Sequence, residues 1–132
     1  WAYLPQQVSD VFQRIRGPFN VNGLAVAAGI ASIGDADFLN KSREHNTLWR
    51  TKLTDALNAM GLPTPQSHAN FVIPDFGSVE RAAAANAWLK ERAILVRALG
   101  GYGLPARLRI SVGSAEDNAA ALAALKDFTA SH

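Results

Sequence analysis

The run Leu108-Arg109-Ile110-Ser111-Val112-Gly113-Ser114-Ala115-Glu116-Asp117-Asn118 constrains the fold more than any other part of the chain. Side chains alternate along a strand, so Leu108, Ile110 and Val112 share one face and Arg107, Arg109 and Ser111 the other. Gly113 permits a tight turn. Ser114 can cap a helix that starts at Ala115, with Glu116 and Asp117 in its positively polarised first turn. Such a strand holds the Arg109 guanidinium opposite a core, which suits forked recognition of a carboxylate or phosphate. A solvated arginine on an ordinary amphipathic strand fits the same pattern.

The rest of the composition narrows the class. The chain has 132 residues, 48% of them apolar, which is a globular composition with enough length for one domain and a core. Val21 to Ile33 is the longest apolar stretch and is too short to span a bilayer, so no membrane role is expected. A formal charge of +2 with scattered arginines gives no reason to expect nucleic acid. Without cysteine there are no disulfides and no thiolate metal sites. His45, His68 and His132 share no ligand spacing, so no metal is expected. A cytoplasmic protein fits best. Trp1 is not a translation start, Met60 is the only methionine, and Trp1 to Pro5 lack the basic end of a signal peptide. The chain reads as a piece of a longer protein that opens at the end of a strand.

Helical periodicity places a short helix over Gln7 to Arg16, with Val8, Val11, Phe12 and Ile15 on one face. Gly17-Pro18-Phe19-Asn20 breaks it. Val21 to Ile33 is helical and apolar nearly all round, so it should be buried or pressed against a partner. Asp35 or Asp37 can cap a longer helix that ends near Met60 and is stopped by Gly61. Leu62-Pro63-Thr64-Pro65 is a rigid connector. Ala69 to Pro74 reads as a strand, with Phe71 and Ile73 facing one way and Asn70 and Val72 the other. Ser78 caps a helix over Val79 to Arg92. Ala93 to Leu99 is a strand carrying Arg97. Gly100 to Pro105 forms a turn, and a last helix after Ser114 carries Leu122, Leu125 and Phe128. The expected fold is α/β in the α+β sense: a small, mostly antiparallel sheet with helices packed on one face. Its open face is expected to carry Asn70, Arg97 and Arg109, as the floor of a site or as a surface for another domain.

Common enzyme signatures are missing. No glycine-rich phosphate loop precedes a helix, and there is no paired-histidine motif and no Gly-x-Ser-x-Gly turn. Lys41, Lys52, Lys90 and Lys126 all fall in helices and read as solvated residues. Gly100, Gly101 and Gly103 fit a hairpin turn better than a phosphate cradle.

Four segments together carry a resemblance. They are Arg16-Gly17-Pro18-Phe19-Asn20-Val21-Asn22, Ser67-His68-Ala69-Asn70-Phe71-Val72, Ile94-Leu95-Val96-Arg97 and Leu108-Arg109-Ile110-Ser111-Val112-Gly113-Ser114. In this order and spacing the chain resembles the C-terminal part of histidinol-phosphate aminotransferases, which are fold-type I pyridoxal-phosphate enzymes. The resemblance runs from Trp1 to about Phe128. It implies that Arg109 grips the substrate's anionic tail, that Arg97 assists, and that Asn70 supports the site. It places Arg16, Asn20 and Asn22 near a subunit interface and the mouth of the site. For Asn70 and Asn20, turn or capping roles fit as well as ligand contact.

The same resemblance implies a division into residues 1–22, connecting from a large cofactor domain, and residues 23–132, the small C-terminal domain. The cofactor lysine would then lie upstream of Trp1. The intact enzyme would use pyridoxal 5'-phosphate, while this chain would bind none covalently and hold no catalytic residue of its own. The implied partners are a phosphorylated amino substrate, a 2-oxo acid, the cofactor domain and a second subunit of a homodimer. Aromatic amino-acid aminotransferases and phospho-amino-acid decarboxylases share much of this outline. A stand-alone α/β module binding an anion or a protein is the alternative outside the superfamily.

Overall fold

The computed structural model describes residues 2–131; Trp1 lies outside them, and Ala2 and Tyr3, where the sequence suggests the end of a strand, are not in a strand. The chain divides into two compact units, one running through Leu39 and the other starting at Asn40.

The first unit is helical. Helix α1 spans Gln6–Ile15, and its apolar stripe of Val8, Val11, Phe12 and Ile15 stays exposed. The turn that follows holds Phe19 at φ 55°, a left-handed conformation uncommon for an aromatic residue. Helix α2 spans Gly23–Gly34, and the side-chain oxygen of its cap Asn22 accepts from Ala25 N at 2.8 Å. Leu24 is 85% exposed, Ile30 69% and Ile33 89%. The sequence calls for this helix to be buried or pressed against a partner, and within the described residues it is exposed along its whole length.

Helix α3, Ala36–Ala59, carries the chain into the second unit. Of the two predicted caps it uses Asp35, whose carboxylate accepts from Phe38 N at 2.8 Å. It ends at Gly61, at φ +75°, where Leu62 N reaches back to Leu57 O at 3.0 Å. Only a residue without a β-carbon takes that conformation at no steric cost.

The second unit continues with β1 (Phe71–Val72), α4 (Val79–Glu91), β2 (Arg97–Ala98), a 3-10 turn over Gly100–Tyr102, β3 (Leu108–Ser111) and α5 (Ala115–Ser131). The strands lie in the order β1-β3-β2 and are antiparallel throughout. Val72, Leu108 and Ile110 belong to a core cluster with Leu53 and Leu57 of α3, Ala82, Ala85 and Leu89 of α4, and Ala124, Leu125 and Phe128 of α5. Each large side chain buried there contributes roughly 1.5–3 kcal/mol. Trp88 of α4 ties the helices together by donating from Nε1 to Ala124 O at 2.9 Å. The α+β layer is the expected one.

Two strands are shorter than their sequence pattern. The predicted strand Ala69 to Pro74 forms a ladder only at Phe71 and Val72. The same register resumes as a single bridge between Asp75 and Arg107. Pro74 stands in the gap and has no N–H to give the ladder, although its carbonyl accepts from Leu108 N. The predicted strand Ala93 to Leu99 shrinks to Arg97–Ala98. Ala93 takes φ 58°, and Ile94 N bonds back to Leu89 O at 2.9 Å, so these residues complete the exit of α4.

Candidate functional site: a two-arginine groove

Register decides which residues share the open face of the sheet. Phe71 pairs with Ser111, and Arg97 pairs with Arg109. Directly paired residues project to the same side, and side chains alternate along β3, so all four stand opposite the core. This corrects the expectation for Asn70. It has the parity of buried Val72, and Phe71 takes the place beside the arginines. Asn70 instead lines a separate groove with Lys41, Ser42, His45, Asn46 and Val112. Its carbonyl accepts from Val112 N at 2.8 Å and so extends the pairing of β1 with β3.

Arg97, Ala98, Arg109 and Ser111, with Leu95 and Val96, line an open cavity of about 430 Å³. Each guanidinium stands over an aromatic ring. Arg109 lies 5.4 Å from the Phe71 ring centre, and Arg97 lies 5.5 Å from that of Tyr102. Arg109 is half-buried, and its Nε is enclosed without a hydrogen-bond partner. Among the described residues, the ion pairs are Arg92 with Glu91 and Arg107 with Asp75, so neither groove arginine has a carboxylate. Like charges directly opposite on paired strands repel. Two unpaired guanidiniums facing one cavity therefore form a standing demand for an anion.

Arg107 shares the parity of Arg109 but is already neutralised. Its Nε donates to Asp75 Oδ2 at 2.9 Å. The backbone N–H of Gly77 and the Arg107 side chain hold the Asp75 carboxyl below its ordinary pKa, against a smaller opposing effect of burial.

The end of β3 is fixed by contacts that sequence reasoning identified only in part. Ser114 caps α5 as predicted: its Oγ accepts from Asp117 N at 3.1 Å and donates to Asp117 Oδ2 at 2.9 Å. Asn118 was missed. It is 2% exposed, and its side-chain amide grips both polar groups of Gly113, accepting from N at 2.9 Å and donating to O at 3.0 Å. His45 Nε2 also donates to Gly113 O, at 2.9 Å, across from α3. A β-carbon on Gly113 would stand 3.1 Å from that of Asp117, so the close approach calls for glycine. Phe71 and Tyr102 were missed as well. The register would have revealed Phe71, and the position of Tyr102 in the turn beside Arg97 was the only signal for the other.

Three further candidates lie in the first unit. Arg16 donates to Asn20 Oδ1 at 2.8 Å and to Gln13, and Asn22 is occupied as the cap of α2. Among the described residues no cluster of three His, Cys, Asp or Glu is placed to hold a metal, and no helix is long and apolar enough to cross a membrane.

A family model for aminotransferases of class I and II matches residues 1–125. The chain belongs to that family. It is 67% identical to a histidinol-phosphate aminotransferase of Hyphomonas neptunium over 99% of its own length, and 44% identical to one of Granulibacter bethesdensis over 98%. It spans only 36% and 35% of those two relatives, so it corresponds to about a third of such an enzyme. Among solved structures it resembles the histidinol-phosphate aminotransferase of Sinorhizobium meliloti in complex with pyridoxal-5'-phosphate. The two are 28% identical with a TM-score of 0.87, over 95% of this chain and 35% of that one.

Class I and II membership brings a pyridoxal-phosphate cofactor with it, and the residues of this chain do not by themselves fit that group. An aldehyde cofactor needs an enclosed amine, whereas Lys41, Lys52, Lys90 and Lys126 are all exposed on helices.

Proposed function

We propose that this chain is the substrate-gripping part of a histidinol-phosphate aminotransferase, with 2-oxoglutarate as the amino acceptor. The observation that carries the reading is the pair Arg97 and Arg109, matched across the ladder and facing one cavity without a carboxylate between them. A phosphate monoester carries nearly two negative charges near pH 7, which two guanidiniums neutralise. Arg109, on the central strand and partly enclosed, is the fixed anchor. Arg97, on the edge strand, is the second donor. Holding the phosphate fixes the far end of the substrate, and orientation of this kind lowers the barrier to reaction at the amine. The cofactor supplies the electron sink for transamination when it is bound.

In this reading residues 23–132 form the small C-terminal domain, and residues 1–22 connect to the cofactor domain. The enzyme works as a cytoplasmic homodimer. The exposed faces of α1 and α2 meet the cofactor domain and the second subunit. Arg16, Asn20 and Asn22 lie near the mouth of the site, and Asn70 supports it from the neighbouring groove.

The test replaces Arg109 in the full-length protein that carries this chain. Arg109→Ala should lower kcat/KM for histidinol phosphate by roughly 10- to 150-fold, from a loss of about 1.5–3 kcal/mol for hydrogen bonds to a charged group. Arg109→Lys should also lose activity, since an ammonium cannot reproduce the planar fork. Histidinol, which has no phosphate to lose, should be affected far less. Equal losses for both substrates would make Arg109 a structural residue and remove the basis for the assignment.

A further inference from the structure

The two arginines are held very differently. Arg109 sits on the central strand β3, with its Nε enclosed. Arg97 sits on β2, an exposed edge strand of two residues. A free arginine side chain at such an edge samples many rotamers, and ordering it costs up to about 2 kcal/mol of entropy. Something has to hold its guanidinium over the cavity if it is to act with Arg109.

Tyr102 is placed to do so. Its ring lies under the Arg97 guanidinium at 5.5 Å, within cation–π range. The ring stands on an anchored turn. Tyr102 N donates to Leu99 O at 2.9 Å, Leu104 N reaches the same carbonyl at 3.2 Å, and Gly103 closes the turn at φ +75°. Leu99 itself is buried, so the turn is tied to the core. Tyr102 is 63% exposed and lies outside the core cluster.

We propose that Tyr102 is a positioning residue that holds the Arg97 guanidinium over the cavity, so that the groove prefers a phosphate dianion to a singly charged carboxylate. This rests on the reading of the groove as the substrate's anion site. Arg109 alone meets one negative charge, and Arg97 meets the second only while the ring holds it in place. Loss of the ring should therefore weaken binding of the phosphate and leave the chemistry at the amine untouched.

The experiment uses the full-length protein with histidinol phosphate and histidinol as paired substrates. Tyr102→Leu should raise KM for histidinol phosphate about two- to five-fold, the worth of an exposed cation–π contact, with kcat nearly unchanged. Tyr102→Phe keeps the ring and should stay within twofold of the native protein. Neither variant should alter the kinetics with histidinol. In an Arg97→Ala background, Tyr102→Leu should have no further effect, because its target is gone. If Arg97→Ala raises KM for the phosphorylated substrate but Tyr102→Leu does not, the proposal is overturned and the anion site stands. A Tyr102→Leu penalty that persists without Arg97 overturns it too, as does a Phe variant as impaired as the Leu variant. If Arg97→Ala leaves both substrates alike, the anion site and the proposal fail together.

Discussion

Replacing Asn118 tests how the end of β3 is held. The Asn118 amide makes two hydrogen bonds to Gly113 and is buried on α5. Asn118→Ala removes both, each worth about 0.5–1.5 kcal/mol net. The consequences for the two Gly113 groups differ. The carbonyl keeps its bond from His45 Nε2, while the N–H loses its only partner. Leaving this part-buried donor unpaired adds a smaller penalty, and a total loss of about 2–3 kcal/mol is expected. The second unit, starting at Asn40, is under a hundred residues long, where each kcal/mol moves the melting point by about 4–8 °C. Thermal melts followed by far-UV circular dichroism should show a fall of roughly 10–20 °C, and urea titration a lower midpoint at an unchanged slope. His45→Ala alone should cost well under 1 kcal/mol, because Asn118 still serves the carbonyl. In the Asn118→Ala background the same change should cost about 1 kcal/mol more, since Gly113 O then has no partner. An Asn118→Ala variant within 0.5 kcal/mol of the native chain, or strict additivity with His45→Ala, would refute the argument that the amide clamps Gly113.

Two further expectations concern charge and exposed surface. Asp75 has a depressed carboxyl pKa in the folded chain, so its contribution is complete above about pH 4, the unfolded value, and is lost as the pH falls through the native value. Asp75→Asn should lower stability at neutral pH, where this contribution is present, and cost progressively less as the pH falls, so the acid-denaturation slope flattens, which urea titrations between pH 2 and 7 would measure; an unchanged slope would mean that the Gly77 N–H and Arg107 do not favour the carboxylate in solution. The isolated chain should self-associate through α2, and Ile30→Asp should reduce that association while leaving the helical signal intact. Light scattering from a clean native monomer at high concentration, with no binding of a hydrophobic dye, would count against it.

What the sequence reveals and what it hides follow from the range of the interactions. Alternation over Leu108 to Val112 and the cap at Ser114 act within a few residues, and both appear as read. The helices α1 and α2 are equally local and equally legible, but the surface that covers them is not written in their own pattern. Register is non-local: only the pairing of Phe71 with Ser111 shows that Phe71, and not Asn70, stands beside Arg109. The shortening of β1 comes from Pro74 meeting Leu108, a conflict visible only once the two strands are aligned. Asn118 is five residues from Gly113, yet its side chain could have pointed elsewhere. Its grip depends on the close turn that Gly113 alone permits.

The groove owes its charge as much to the carboxylates kept away from it as to its arginines. β3 and its flanks carry enough acid to neutralise every arginine nearby. Asp75 is spent on Arg107 and on the Gly77 N–H. Asp117, six residues after Ser111, faces back to Ser114 and receives both its N–H and its hydroxyl. Glu116 stands exposed in the first turn of α5, where the helix dipole favours it. With each acid engaged in local structure, Arg97 and Arg109 are left facing one another. Their mutual repulsion is relieved when an anion enters between them. A carboxylate in place of Ser111, on the same face as Arg109, would satisfy that charge internally and close the groove to an incoming anion. That is the physical reason a small hydroxyl suits the position better than an acid.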